Sequence, residues 1–147
     1  MAELVARLRT DLAAARKAQN KPLTLLLGTI LADVQNRALE IPSELTDADT
    51  VDVLRKGIKK RREAVDTYTK AGRTELADKE GFEVATLEQY LPAEAGDDDI
   101  RAAVRDAIAS GATGIGAIMG RVLPQFRGRA EGGRINAIVR EELAARG

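Results

Sequence analysis

The 147-residue sequence contains no cysteine and no histidine. The first absence removes disulfides, zinc–thiolate sites and thiol nucleophiles. The second removes the commonest general base and the commonest metal ligand. Serine occurs only at Ser43 and Ser110, neither in a nucleophile-elbow context. No glycine run has the spacing of a P-loop or a dinucleotide fingerprint. Aromatic residues make up 3% of the chain, so any core must be built from Leu, Ile, Val and Ala. No stretch approaches 18 consecutive apolar residues, which leaves no candidate membrane span. The opening Met1-Ala2-Glu3-Leu4-Val5-Ala6-Arg7 lacks the apolar centre of a signal peptide, and Glu3 and Asp11 argue against a transit peptide. The expected location is cytoplasmic, with no cofactor and no metal.

What remains is rich in aliphatic and charged residues, a composition that favours helices. Apolar residues recur at three- and four-residue steps, with no convincing alternating stretch. The expected class is therefore all-α. Leu4, Leu8 and Leu12 mark a first helix. Pro22 suits a first-turn position, and a broad apolar face follows through Leu26, Leu27, Ile30, Leu31 and Val34. Thr46 reads as the N-cap of a third helix carrying Val51, Leu54, Ile58, Val65 and Tyr68, which Gly72 ends. A fourth runs through Leu76, Leu87, Tyr90 and Leu91 to Pro92. Pro92–Gly96 is the best boundary, dividing the chain into an N-terminal four-helix part, 1–92, and a C-terminal three-helix part, 97–147. In the second part Asp97 and Thr113 are the expected caps of two short helices, and Gly132-Gly133 opens the last.

The zero net charge conceals segregation. Arg55, Lys56, Lys59, Lys60, Arg61, Arg62, Lys70 and Arg73 form a basic block, and an acidic block from Glu75 to Asp99 follows it. The apolar line of the third helix passes through Arg61 and Arg62, and that of the fourth through Glu80 and Glu83. If the two helices fold back at Ala71-Gly72-Arg73, Arg62 is expected opposite Glu83 as a partly buried ion pair that sets hairpin register. Glu80 with Glu83 is the only candidate catalytic pair, and no nucleophile or metal site stands beside it. Lys56, Lys59 and Lys60 read as a solvated face or a nucleic-acid contact.

Gly116–Gly132 is the least generic segment. Gly116 and Gly120 leave one helix face bare for close packing, and Gly128 permits a tight turn. Arg127, Arg129 and Arg134 cluster near the start of the last helix, where free backbone amides favour anions. Two readings stand: a packed turn with solvated arginines, or a corner that contacts phosphate.

Lys59-Lys60-Arg61-Arg62-Glu63, Ala71–Ala77, Glu80, Glu83, Tyr90-Leu91-Pro92 and Gly128–Gly132 together resemble the YqeY, or GatB/YqeY, family. That family is related to the tail domain of the B subunit of the glutamine-dependent Asp/Glu-tRNA amidotransferase. Glu131 and Ala117 stand where the family often has Asp and Lys. The resemblance implies a four-helix part followed by a three-helix part, and a link to tRNA as partner. It also brings the label of a carbon–nitrogen ligase with glutamine as amido-N-donor, although no catalytic residue for that chemistry is visible here. The expected function is a non-catalytic tRNA-binding or tRNA-metabolism accessory protein that contacts RNA through Arg127, Arg129, Arg134, Lys56, Lys59 and Lys60. A protein-interaction adaptor and an accessory subunit of an amide-transferring ligase are the alternatives.

Overall fold

In the computed structural model, which describes residues 3–146, seven α-helices follow one another with no strand among the described residues. They are α1 (Glu3–Lys17), α2 (Lys21–Glu40), α3 (Asp47–Lys70), α4 (Thr74–Glu88), α5 (Asp97–Ala109), α6 (Gly114–Val122) and α7 (Gly132–Arg146). A 3-10 turn, Leu123–Phe126, extends α6. Met1 and Ala2, which belong to the N-terminal stretch read above, lie outside the described residues. The helices form two compact units, Met1–Leu91 and Pro92–Gly147.

The helix ends follow from local chemistry. Asn20 caps α2, its side-chain oxygen accepting from the Leu23 amide at 3.2 Å, with Pro22 in the first turn. Thr46 caps α3 reciprocally: its hydroxyl oxygen accepts from the Asp49 amide at 3.2 Å, and Asp49 accepts from the Thr46 amide at 2.9 Å. Asp49 thus fills the place Glu or Gln takes in the usual capping box, and it is buried there. At the other end of α3, Gly72 has φ +71°, and the amides of Gly72 and Arg73 donate to the carbonyls of Thr69 and Tyr68. This Schellman closure satisfies two end carbonyls and turns the chain straight into α4. The same closure ends α1 with Gln19 at positive φ.

Some expected ends are displaced. α4 stops at Glu88, and Tyr90 and Leu91 lie in the turn after it. Gly96, not Asp97, occupies the cap position of α5; Asp97 falls in the first helical turn, where its negative charge still meets the positive end of the helix dipole favourably. Thr113 holds the cap position of α6 but makes no side-chain capping bond.

In the first unit, one apolar core gathers Leu8, Leu27, Ile30, Leu54 and Leu87 from all four helices, each wholly buried. All buried residues of α3 lie between Asp49 and Ile58. Val65 and Tyr68 are only half-buried, so the far half of the α3–α4 hairpin contributes little to this core. Tyr90 closes the unit. Its ring is buried, its hydroxyl donates to Asp11 of α1, and the Arg7 guanidinium stacks 4.5 Å from the ring centre. Arg7 also donates to the Gln89 carbonyl at 3.3 Å. The turn after α4 is thereby tied to α1. In the second unit, Ile100, Val104, Ile118, Val122, Ile135 and Val139 form a separate core across α5, α6 and α7.

Two outcomes follow from these contacts. Thr46→Ala should lower stability by about 1 kcal/mol in urea unfolding, the usual cost of losing a side-chain N-cap. Burial, and then the Asp11 hydrogen bond, push the Tyr90 hydroxyl well above the ordinary tyrosine range. The folded state therefore favours the neutral phenol more than the unfolded chain does. That contribution is intact below pH of about 10, where the unfolded tyrosine begins to ionise, and is lost as pH rises further. Stability measured from pH 8 to 11 should fall more steeply for the native protein than for Tyr90→Phe; equal slopes would contradict this assignment.

Candidate functional site

The ion pair across the α3–α4 hairpin forms with a different arginine from the one expected. Arg61 Nε donates to Glu83 Oε1 at 2.8 Å, and both side chains are largely buried, at 13% and 16% exposure. Arg62 instead meets Glu88 at 3.3 Å on the surface. The physical reason lies in the turn. Gly72 is its centre, and Arg61 and Glu83 are equidistant from it along the two arms, whereas Arg62 falls one residue out of register. Arg61 also continues the line through Leu54 and Ile58 that faces the core. Its Nη1 donates back to the Gly57 carbonyl at 3.0 Å. A β-carbon at Gly57 would sit 3.2 Å from that nitrogen and 3.3 Å from Ile30 Cδ1, so the missing side chain makes room for the folded-back guanidinium.

Lys56 and Lys60, one helical turn apart, line a cleft of about 340 Å³ between α2 and α3. Arg37, Asp33, Asn36 and Glu40 of α2 complete its walls, with Gly57 and Arg61 on the α3 side. Lys59 is exposed but is not among the residues lining the cleft. Lys56 and Lys60 thus share the cleft, and Lys59 stands on the exposed surface outside it.

The arginine corner belongs to the second unit. Gly128 adopts φ +77° between Arg127 and Arg129, both exposed. Arg129 is positioned through its backbone: its amide donates to the Phe126 carbonyl, and its own carbonyl accepts from the Ala95 amide, each at 2.8 Å. Its guanidinium lies 5.7 Å from the Phe126 ring centre, and that ring is buried. Arg134 is already engaged, with Nε donating to Asp97 Oδ1 at 2.7 Å. Arg127 and Arg129 therefore flank the turn, while Arg134 bridges the starts of α7 and α5.

One charged group was missed. Glu142 is buried and accepts from Arg105 at 3.0 and 2.9 Å, with Arg101 farther off at 4.0 Å. Its signal was present: Glu142 continues the helical line Ile135, Ile138, Val139, the same kind of interruption that singled out the hairpin charges. The bare face at Gly116 and Gly120 is not used for close packing. Both glycines are exposed, and nothing lies within 4 Å of where a β-carbon would stand.

Among the described residues no group of acidic side chains could hold a metal ion, and no helix is long and apolar enough to cross a membrane. Glu80 and Glu83 are not a matched acidic pair, because Glu83 is committed to Arg61. Residues 5–143 match the family described as Yqey-like protein. The chain belongs to the YqeY family. An uncharacterized protein of Schizosaccharomyces pombe is 35% identical over 89 residues, covering 60% of this chain and 72% of its own length. Altered inheritance of mitochondria protein 41, mitochondrial, of Pyrenophora tritici-repentis is 28% identical over 130 residues, covering 84% of this chain and 71% of that protein. The protein of the same name in Eremothecium gossypii is 27% identical over 92 residues, covering 62% of this chain and 50% of its own.

The corrected pairing has a direct test. Arg61→Ala should cost about 1.5–3 kcal/mol, as expected for a largely buried charge-assisted bond. Arg62→Ala, whose pair is exposed, should change stability by less than about 1 kcal/mol. A double-mutant cycle of Arg61 with Glu83 should show coupling. A larger loss at Arg62 than at Arg61 would restore the register expected from the sequence.

Proposed function

We propose that this YqeY-family protein is a non-catalytic accessory protein that binds folded tRNA through phosphate contacts. The observation that carries the reading is the placement of Arg127 and Arg129 on the surface to either side of Gly128, shortly before α7 begins. Two guanidiniums in the turn that leads into a helix, with the first amides of that helix, would offer a phosphate several charge-assisted donors. Arg134 is the third contact and exchanges Asp97 for phosphate. The exposed lysines of α3 supply a second area of contact. Recognition of phosphate and shape suits a chain with so few aromatic side chains to stack on bases. The resemblance to an amidotransferase tail domain favours tRNA among folded RNAs. It brings no reaction with it, and the ligase label is not part of this reading. tRNA occurs both in the cytoplasm and in the mitochondrion, the compartment named for two of the relatives.

A protein-interaction adaptor is the second reading. It is favoured by Leu25 and Leu39, which stand 67% and 86% exposed on α2.

Gel-shift titration of tRNA across a salt series separates the two. Binding should weaken with salt by a log–log slope of about −0.7 to −0.9 per phosphate neutralised. Arg129→Ala should make that slope shallower by about one unit while the far-UV circular dichroism stays that of the native protein. Absence of tRNA binding at low salt, or an Arg129→Ala variant indistinguishable from native, would leave the adaptor reading in first place.

A further inference from the structure

The cleft between α2 and α3 has a composition that the α3 lysines by themselves do not explain. Four cationic side chains line it, Arg37, Lys56, Lys60 and Arg61, against two carboxylates, Asp33 and Glu40. Part of this charge is spent internally. Arg61 is bonded to Glu83, and Arg37 lies 3.8 Å from Glu40. Lys56 and Lys60 have no ion-pair partner among the described residues. They sit one turn apart on α3 and present two ammonium groups to the same cleft.

A second observation comes from the facing helix. Arg37 Nε is buried with no hydrogen-bond acceptor among the described residues. A buried donor of this kind is ordinarily satisfied, and a ligand could supply the acceptor. The α3 wall of the cleft is thus cationic, while the α2 wall sets one arginine, whose Nε lacks an acceptor, between two carboxylates. At about 340 Å³ it falls at the small end of ligand pockets, large enough for one compact organic anion.

We propose that this cleft binds a single nucleotide. Its phosphate lies between Lys56 and Lys60, with Arg37 as the donor from α2. The carboxylate of Asp33 would repel a bare anion, but it accepts readily from ribose hydroxyls or an exocyclic amine. Asn36 beside it both donates and accepts. A ligand that is anionic at one end and carries donors at the other uses the whole lining, which inorganic phosphate does not. Choosing a nucleotide among such ligands rests on the tRNA reading above. The same chemistry is offered by a free mononucleotide and by one unit of an RNA strand.

The test is a titration of the full chain with nucleoside monophosphates, followed by amide chemical shifts, with inorganic phosphate as the parallel probe. Shifts should concentrate at Asp33, Asn36, Gly57 and Lys60, with phosphate alone binding more weakly. Lys56→Glu/Lys60→Glu changes two exposed side chains, so the fold should persist by circular dichroism. That variant should bind the monophosphate at least about tenfold more weakly, in line with losing charge-assisted bonds. Absence of shifts at millimolar ligand, binding unchanged in the double variant, or equal affinity for inorganic phosphate would each overturn the proposal. Competition then assigns the source: displacement of the monophosphate by tRNA identifies a strand nucleotide, and its retention identifies a free one. A chain that binds monophosphates in the cleft but no tRNA removes the tRNA reading and keeps this site. One that binds tRNA but no monophosphate does the reverse.

Discussion

Arg61 occupies the junction of three helices in the first unit, bonded within two of them and facing the third across a cleft. On α4 it holds Glu83, on its own helix it folds back to the Gly57 carbonyl, and toward α2 it lines the cleft. A glycine in the middle of a helix costs about 1 kcal/mol relative to alanine. Here the cost is offset by packing, because a methyl group at that position would press on both the guanidinium and Ile30. Beyond this junction the hairpin loses contact with the main core, and Val65 and Tyr68 remain half-buried. The ion pair thus sits where apolar burial gives way to a two-helix arm. Hydrophobic contact is non-directional and tolerates sliding of one helix on another. A buried hydrogen-bonded charge pair does not, since a one-residue slip would leave both charges uncompensated.

The second unit repeats the device with the sign reversed. Glu142 replaces an aliphatic residue on the inner line of α7 and is met by Arg105 from α5. Each unit therefore aligns a helix pair with one charged residue set into an otherwise apolar stripe. With only two Phe and two Tyr in the chain, few large side chains are available to set packing by shape. Polar anchors take over some of that work: Tyr90 between Asp11 and Arg7, and Asp49 within its cap. These groups fix geometry more than they add net stability.

Most of the remaining charged side chains lie at the surface, and several of them are paired there. A balanced total of 23 basic and 23 acidic residues conceals a local excess of cations on α3. Acidic residues of α4 neutralise part of it, through Glu83 and Glu88, and leave the lysines outward. In the C-terminal unit Asp97 does the same for Arg134. These pairings decide which cations stay uncommitted after folding, and the overall charge does not report this.

Helix content, order and most helix ends were legible in the sequence, because they depend on contacts within a few residues. The periodicity of Leu26 to Val34, the Thr46 cap and the positive-φ stop at Gly72 are of this kind. So was the presence of a charged pair inside the hairpin, since Arg61, Arg62, Glu80 and Glu83 all interrupt apolar lines. Its partners were not legible: Arg61 and Arg62 both fall near the seam, and a single residue in the turn decides between them. The close-packed use expected of Gly116 and Gly120 failed for a related reason, since a bare helix face does not say whether another element arrives to cover it. Likewise, Arg134 reads as one of three equivalent arginines until α5 brings Asp97 beside it. Sequence alone determined the helices, because propensity, capping and periodicity are local. Tertiary structure alone decided which charges are spent on each other and which stand open to a ligand, because that depends on side chains far apart in the chain meeting across a packed interface.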